Sequence, residues 1–194
     1  MVPLITAGAK FLVKRKLISK IMDWLPKILA FFVTLSLLFS SFLPSYLKTY
    51  SKMSSEGNEC ITYPLIKDYP ITSYHGYRGY VAGVPMVGTW HDGVDYGSPI
   101  GTPMLAIING TIQHDENYCG LGIWINGMNP NGEKIRARYW HISGRIAPNG
   151  SNVKKGEVIG LSGNSGACTN GPHLHLEFWI NGKPVDPLKY RCQQ

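Results

Sequence analysis

From Cys60 onward, glycine and proline recur every 8–12 residues, separated by short runs rich in Val, Ile, Tyr and Trp. Punctuation this dense leaves no room for long helices, and no stretch of this half carries a convincing 3.6-residue apolar period. Pro103–Ile108, Gly122–Ile125 and Lys134–Trp140 instead read as short strands. Asn126-Gly127, Asn131-Gly132 and Asn181-Gly182 have the composition of hairpin turns. The expectation is an all-β domain over residues 60–194, built mainly of antiparallel sheet. It shows no internal repeat and no low-complexity tract.

The first sixty residues have another texture. Lys10, Lys14, Arg15, Lys16, Lys20 and Lys27 stand against Asp23 alone, so 1–27 reads as a basic tail. Ile28 to Leu43 follows, 16 residues without a charge, between Pro26 and Pro44. Extended through Tyr46-Leu47, the span is long enough to cross a bilayer at about 1.5 Å of rise per residue. No small-x-small cleavage pattern follows it, so 28–47 is expected to be a transmembrane helix acting as an uncleaved signal anchor. The basic tail keeps the N-terminus cytoplasmic and sends the C-terminal domain outward, to the periplasmic or extracellular side or the outside of a virion membrane. Residues 48–59 are polar and read as a linker.

The chain carries 19 basic and 12 acidic residues, but beyond the tail the balance is 13 against 11. The basic character therefore belongs to the tail, and the domain has no clustered basic face for nucleic acid. Its four cysteines, Cys60, Cys119, Cys168 and Cys192, contain no C-x-x-C spacing and are even in number, which in an exported domain points to two disulfides. Cys60 and Cys192 flank the domain, whose ends are expected to lie close together, while Cys119 and Cys168 sit in glycine-rich loops. The expected pairs are Cys60–Cys192 and Cys119–Cys168.

Residues 173–180 read His-Leu-His-Leu-Glu-Phe-Trp-Ile. On a strand, His173, His175 and Glu177 share one face, and Leu174, Leu176 and Phe178 the other. Upstream, Trp90-His91-Asp92-Gly93-Val94-Asp95 places His91 and Asp95 on one face, with Gly93 leaving space between them. A catalytic zinc site takes three protein ligands and keeps one open position. His91, Asp95 and one of the His173/His175 pair supply three. The metal would lower the pKa of a water towards about 7 and polarise a carbonyl. The remaining imidazoles could take a proton or steady an oxyanion. His75 and His114 read as ordinary surface or hydrogen-bonded histidines.

At this point the residues resemble a known family, the lysostaphin-type zinc metallopeptidases, which cut the peptide cross-links of bacterial peptidoglycan. Several pieces occur in the family's order: Ile71-Thr72-Ser73 with Gly76 and Arg78; His91-Asp92-Gly93-Val94-Asp95; Tyr139-Trp140-His141-Ile142-Ser143; Val153–Gly160; Gly163–Gly166; Gly171–Glu177; and Pro184–Pro187. The resemblance implies that His91, Asp95 and His175 hold one Zn²⁺ per chain. It also implies that His141 and His173 are the catalytic imidazoles. Glu177 is open to two readings, a partner of a zinc ligand or a solvated strand residue. The loop Ala167-Cys168-Thr169-Asn170 departs from the family's pattern, as do His75 and Leu176. The implied function is a membrane-anchored peptidoglycan endopeptidase. The alternatives are a non-catalytic wall-binding or hydrolase-activating module, and a wall-cutting protein of a phage or a DNA-transfer system. All five site positions are filled, which favours an enzyme.

Overall fold

The computed structural model describes residues 24–34, 36, 37, 40, 44, 57–84 and 87–193. The chain divides into two units, Met1–Thr49 and Tyr50–Gln194. In the first, residues 24–34 are helical. Among the described residues no helix is long and apolar enough to cross a membrane. The expected basic tail lies outside the described residues up to position 23. The expected anchor over 28–47 lies partly outside them, and the linker 48–59 does so as far as position 56.

The second unit is the expected β domain. Its strands are β1 (Ile71–Ser73), β2 (Gly76–Tyr77), β3 (Trp90–His91), β4 (Gly93–Tyr96), β5 (Pro103–Leu105), β6 (Gly110–Asn117) and β7 (Gly120–Met128). They continue with β8 (Lys134–Trp140), β9 (Gly144–Arg145), β10 (Asn152–Val153), β11 (Val158–Leu161), β12 (Leu174–Ile180) and β13 (Lys183–Val185). A single 3₁₀ turn, Pro187–Tyr190, follows, with Asp186 capping the Leu188 N–H. The main sheet runs β1-β4-β12-β8-β7-β6-β10, with β13 beside the far end of β12. A second sheet, β5-β11-β9, and the ribbon β2-β3 complete the domain. Every strand pair is antiparallel.

Strand alternation sorts the two faces of the main sheet. Val94 and Tyr96 of β4, Leu174, Leu176 and Phe178 of β12, Ile135, Ala137 and Tyr139 of β8, and Ile123 and Ile125 of β7 all enter one core. Met104 and Ile159 of the smaller sheet join them there, with Ile107, Ile108 and Ile142. Tyr139 is fully buried, and its hydroxyl is satisfied on both sides: it donates to Leu105 O and accepts from the Ile107 N–H. The opposite face carries the polar and aromatic set. Register aligns it in rows, with Asp95, His175, Trp140 and Gly122 opposed across four strands, and Gly93, Glu177, Arg138 and Trp124 in the adjacent row. Arg136 and Arg138 stack over Trp124, 3.8 and 4.7 Å from its ring centre, and Arg138 also covers Trp140 at 4.0 Å.

Of the three Asn-Gly pairs expected to form hairpin turns, two do so. Asn181 and Gly182 both have positive φ, 49° and 79°, and join β12 to β13, as a two-residue hairpin requires. Asn131-Gly132 turns between β7 and β8. Asn126-Gly127, expected as a turn, lies inside β7 instead. The tertiary reason is close approach, because a Cβ on Gly127 would fall 2.5 Å from Asn109 O. Asn126 uses its amide to accept from Arg136 Nε at 2.7 Å.

Both expected disulfides are present. Cys60–Cys192 ties the two ends of the domain together, next to a parallel bridge between Ile61 and Arg191. Cys119–Cys168 joins two loops beside the polar face. Asn58 is buried, accepts from Asn109 N and donates to Asn109 O and Met128 O.

Candidate metal centre and cleft

Three donor atoms converge on the polar face of the sheet. Asp95 Oδ1 lies 2.8 Å from His175 Nδ1 and 3.2 Å from His91 Nε2, and the two nitrogens are 2.9 Å apart. Asp95 and His175 are direct partners in the β4–β12 ladder. His91 ends β3, and the strand breaks at Asp92 before β4 begins, so the turn of the chain carries the first histidine over the other two groups. Gly93 is what lets them meet. A Cβ there would fall 2.4 Å from Leu176 O and 2.9 Å from His175 Cε1.

Hydrogen bonds on the far side of each ring set which atom points inward. His91 Nδ1 lies 2.9 Å from Tyr74 O, a carbonyl that can only accept, so Nδ1 carries the proton and Nε2 faces the cluster with its lone pair. Ser73 Oγ, 3.1 Å away, supports the same nitrogen. His175 Nε2 lies 3.1 Å from Glu177 Oε1 and donates to it, which directs Nδ1 inward. Glu177 is buried. It also accepts from Trp179 Nε1 at 2.6 Å and from Arg138 Nη1 at 3.3 Å. Of its two readings, the ring's partner is the one observed. Arg78, only a motif residue in sequence, donates to Asp95 Oδ2 at 3.3 Å.

The electrostatics of this cluster favour positive charge at its centre. Burial opposes ionisation of Asp95, but the imidazoles of His175 and His91 beside it hold its carboxyl far below the ordinary range. Burial also works against charge on His175, yet Asp95 and Glu177 carry its pKa up to about 9. The same ring, with Arg138 and Trp179, outweighs burial to hold Glu177 down. One carboxylate oxygen and two imidazole nitrogens within 3.2 Å of one another repel unless positive charge lies between them. Tetrahedral ligands at about 2.0–2.1 Å from a zinc ion stand roughly 3.3 Å apart, so the residues present fit such an ion.

The other two imidazoles adjoin this cluster. His173 Nε2 is 3.7 Å from Asp95 Oδ1, while its Nδ1 donates to Gly171 O at 2.8 Å. His141 follows β8 directly, opposite neither partner strand, and adopts φ 61°. That is a left-handed conformation costing a non-glycine residue roughly 1–3 kcal/mol. Its Nδ1 lies 3.0 Å from both Cys119 O and Ser165 O, so this nitrogen too carries the proton and Nε2 keeps the lone pair. The rings of His141 and His173 are 4.9 Å apart, and those of His141 and His175 6.0 Å. Burial first, then the nearby His173, push the His141 pKa down to about 4, so the ring is neutral at neutral pH.

All five expected site residues are therefore gathered in one place. Asp95, His141, His173 and His175 line a cleft of about 640 Å³. Tyr74, Tyr77, Arg78 and Tyr80 line it too, as do Cys168, Asn170, Gly171 and Pro172. His114 stands apart, donating to Ala147 O. His75, expected as an ordinary histidine, lines the cleft edge-on to Trp90, with a buried Nε2 that has no hydrogen-bond partner. Sequence reading missed the carbonyls of Tyr74, Cys119, Ser165 and Gly171, because any residue supplies a backbone oxygen and no residue type marks it.

Known proteins are similar to this chain in sequence and fold. Over 120 residues the chain is 41% identical to the DD-carboxypeptidase/endopeptidase Mpg of Neisseria meningitidis serogroup B, a match covering 61% of this chain and 26% of that protein. The chain thus spans about a quarter of that relative's length. The catalytic domain of the antimicrobial peptidase lysostaphin from Staphylococcus simulans superposes with a TM-score of 0.53 at 31% identity, over 63% of this chain and 91% of that one. A zinc-containing peptidase from Vibrio cholerae superposes with a TM-score of 0.59 at 28% identity, over 70% and 41% of the two chains. Residues 89–187, just over half the chain and the stretch that carries all five site residues, match peptidase family M23, and the chain belongs to that lysostaphin-like family.

Proposed function

We propose that this chain is a zinc endopeptidase that hydrolyses the peptide cross-links of bacterial peptidoglycan. The observation that carries the reading is the convergence of His91 Nε2, Asp95 Oδ1 and His175 Nδ1 beside two imidazoles on one open cleft. In this reading His91, Asp95 and His175 hold one zinc ion. When bound, the ion would supply Lewis acidity toward a water and the scissile carbonyl. His141 and His173 serve the proton and charge movements. A neutral His141 with its lone pair on Nε2 is suited to accept a proton at that atom. His173, held by Gly171 O, is suited to present Nε2 to the developing oxyanion or leaving group. Arg78 and Glu177 steady the ligands Asp95 and His175 from outside.

The cleft takes an extended, flexible peptide with small residues near the scissile bond. The DD-endopeptidase activity in the name of the Neisseria relative supports a bond between two D-configured centres as the target. The basic tail and the apolar span 28–47 support a membrane-anchored form with the domain on the periplasmic or extracellular side. Two disulfides fit that oxidising side. Digestion of purified sacculi of the diaminopimelate and the glycine-bridged type, with products identified by mass spectrometry, tests the reading. Cross-linked dimers converted to monomers in the first type are expected, and intact dimers in both would overturn it.

A further inference from the structure

Two loops meet behind His141, and a disulfide ties them together. One is the β6–β7 turn at Tyr118 and Cys119, and the other runs from Gly163 to Cys168. Each contributes one backbone oxygen to the same ring nitrogen: Cys119 O and Ser165 O both lie 3.0 Å from His141 Nδ1. The loop backbones touch. A Cβ on Gly166 would fall 2.1 Å from the Cys119 carbonyl carbon, and one on Gly120 would fall 2.3 Å from Ser165 O. Apart from the S–S bond, the hydrogen bonds Leu121 N to Ser165 Oγ at 3.0 Å and Ala167 N to Tyr118 O at 3.1 Å join them. Regular sheet does not hold the second loop, whose ladder-type pairing is the isolated Gly163–His173 bridge.

We propose that Cys119 and Cys168 are positioning residues for catalysis, a role that rests on the endopeptidase reading. Their bridge sets the spacing of the two carbonyls. The carbonyl pair then fixes the tautomer and the direction of the His141 ring, presenting Nε2 to the cleft. Neither cysteine touches a reacting atom; both act through His141. The same bridge reaches the second imidazole. Cys168 lines the cleft and anchors the segment leading to Thr169 and Gly171, where Gly171 O accepts from His173 Nδ1 at 2.8 Å. An imidazole whose Nδ1–H has lost its acceptors samples both tautomers and rotates, so its lone pair leaves the productive direction part of the time. Tyr74, Tyr77 and Tyr80 also line the cleft and belong to neither loop, so a bound peptide would keep its contacts with them. Turnover therefore depends on an oxidised bridge far more than substrate binding does. The Cys60–Cys192 bridge, at the ends of the domain, has no such part.

The test compares the full chain in detergent with two double variants, Cys119→Ser with Cys168→Ser, and Cys60→Ser with Cys192→Ser. Each is assayed well below its melting temperature for zinc content, kcat and KM on cross-linked muropeptide dimers. The first variant is expected to keep its zinc and a KM within about twofold, and to lose about tenfold or more in kcat. The second is expected to melt earlier and keep its kcat. In the second background the remaining bridge can be opened with a phosphine, which breaks S–S to two thiols as the phosphine takes up the oxygen of water. Activity should fall on reduction and return on reoxidation. A readout independent of substrate is the His141 Nδ1 proton in ¹⁵N-histidine spectra, assigned by its loss in His141→Asn. It should be sharp and slow to exchange in the parent and broadened or shifted once Cys119 and Cys168 are serines. An unchanged kcat together with an unchanged Nδ1 resonance overturns the proposal. If the parent itself cuts no cross-link, the endopeptidase reading fails, and the resonance alone decides the positioning role.

Discussion

Asp95 and His175 face each other across the β4–β12 ladder, with Oδ1 and Nδ1 2.8 Å apart. Two residues along the same strand, Glu177 takes the other end of the His175 ring. One carboxylate thus lies on each side of a single imidazole. Replacing Glu177 with Gln keeps the shape and removes the charge that draws the ring's proton outward. Zinc affinity, measured by competition with a chromogenic chelator, should fall about 10–100-fold, while the far-ultraviolet spectrum stays that of the parent.

The five site residues should separate into two groups. His91→Ala, Asp95→Ala and His175→Ala each leave two ligands where three stood, and zinc content should drop well below one per chain. His173→Ala and His141→Asn should retain zinc and lose about 10²–10⁴-fold in kcat. Asn is chosen at 141 because it tolerates the left-handed backbone observed there. Metal analysis beside sacculus digestion checks both. Zinc loss from the His141 or His173 variants with retention in His91→Ala would reverse the assignment.

Gly93→Ala is expected to damage fold and site together. The added methyl would overlap Leu176 O at 2.4 Å and the His175 ring at 2.9 Å, so the ladder must open where the ligands sit. A destabilisation of roughly 1–3 kcal/mol should accompany weaker zinc binding in denaturant titrations and chelator competition. Gain of stability would contradict the close approach.

Acid should weaken the protein partly through His141. Its pKa is about 4 in the fold, against 6.5 for an unperturbed ring, because burial and then His173 disfavour the charge. Between these values the unfolded chain binds more protons than the native one. The contribution is therefore fully present above pH 6.5 and is lost as the pH falls through that window. Its ceiling is on the order of 3 kcal/mol. Denaturant titrations at roughly pH 7 and pH 5 should show a smaller acid loss for His141→Asn than for the parent.

Topology is open to a direct measurement. With residues 28–47 as an anchor and the basic tail inside, a periplasmic reporter fused after Gln194 should be active and a cytoplasmic one silent. A mature chain starting near Ser45 would mark a cleaved signal instead.

Sequence alone determined the β character of the domain and the polar and apolar faces of its strands, and it pointed to the disulfide pairing; the five site residues were singled out by the resemblance to the lysostaphin-type family. The β character and the faces follow from local rules. Alternation along Leu174–Ile180 assigns each side chain a face whatever the strand's partners are, and only a few residue types bind zinc or form disulfides. The tertiary structure decided what depends on neighbours distant in the chain. Asn126-Gly127 has turn composition, yet the approach of Asn109 O keeps it in a strand. Glu177 was a solvated glutamate or a ring's partner until β8 brought Arg138 beside it. The proton-bearing nitrogens of His91 and His141 are set by the carbonyls of Tyr74, Cys119 and Ser165. Backbone oxygens carry no residue identity, so their role exists only once register and loop packing place them against a ring.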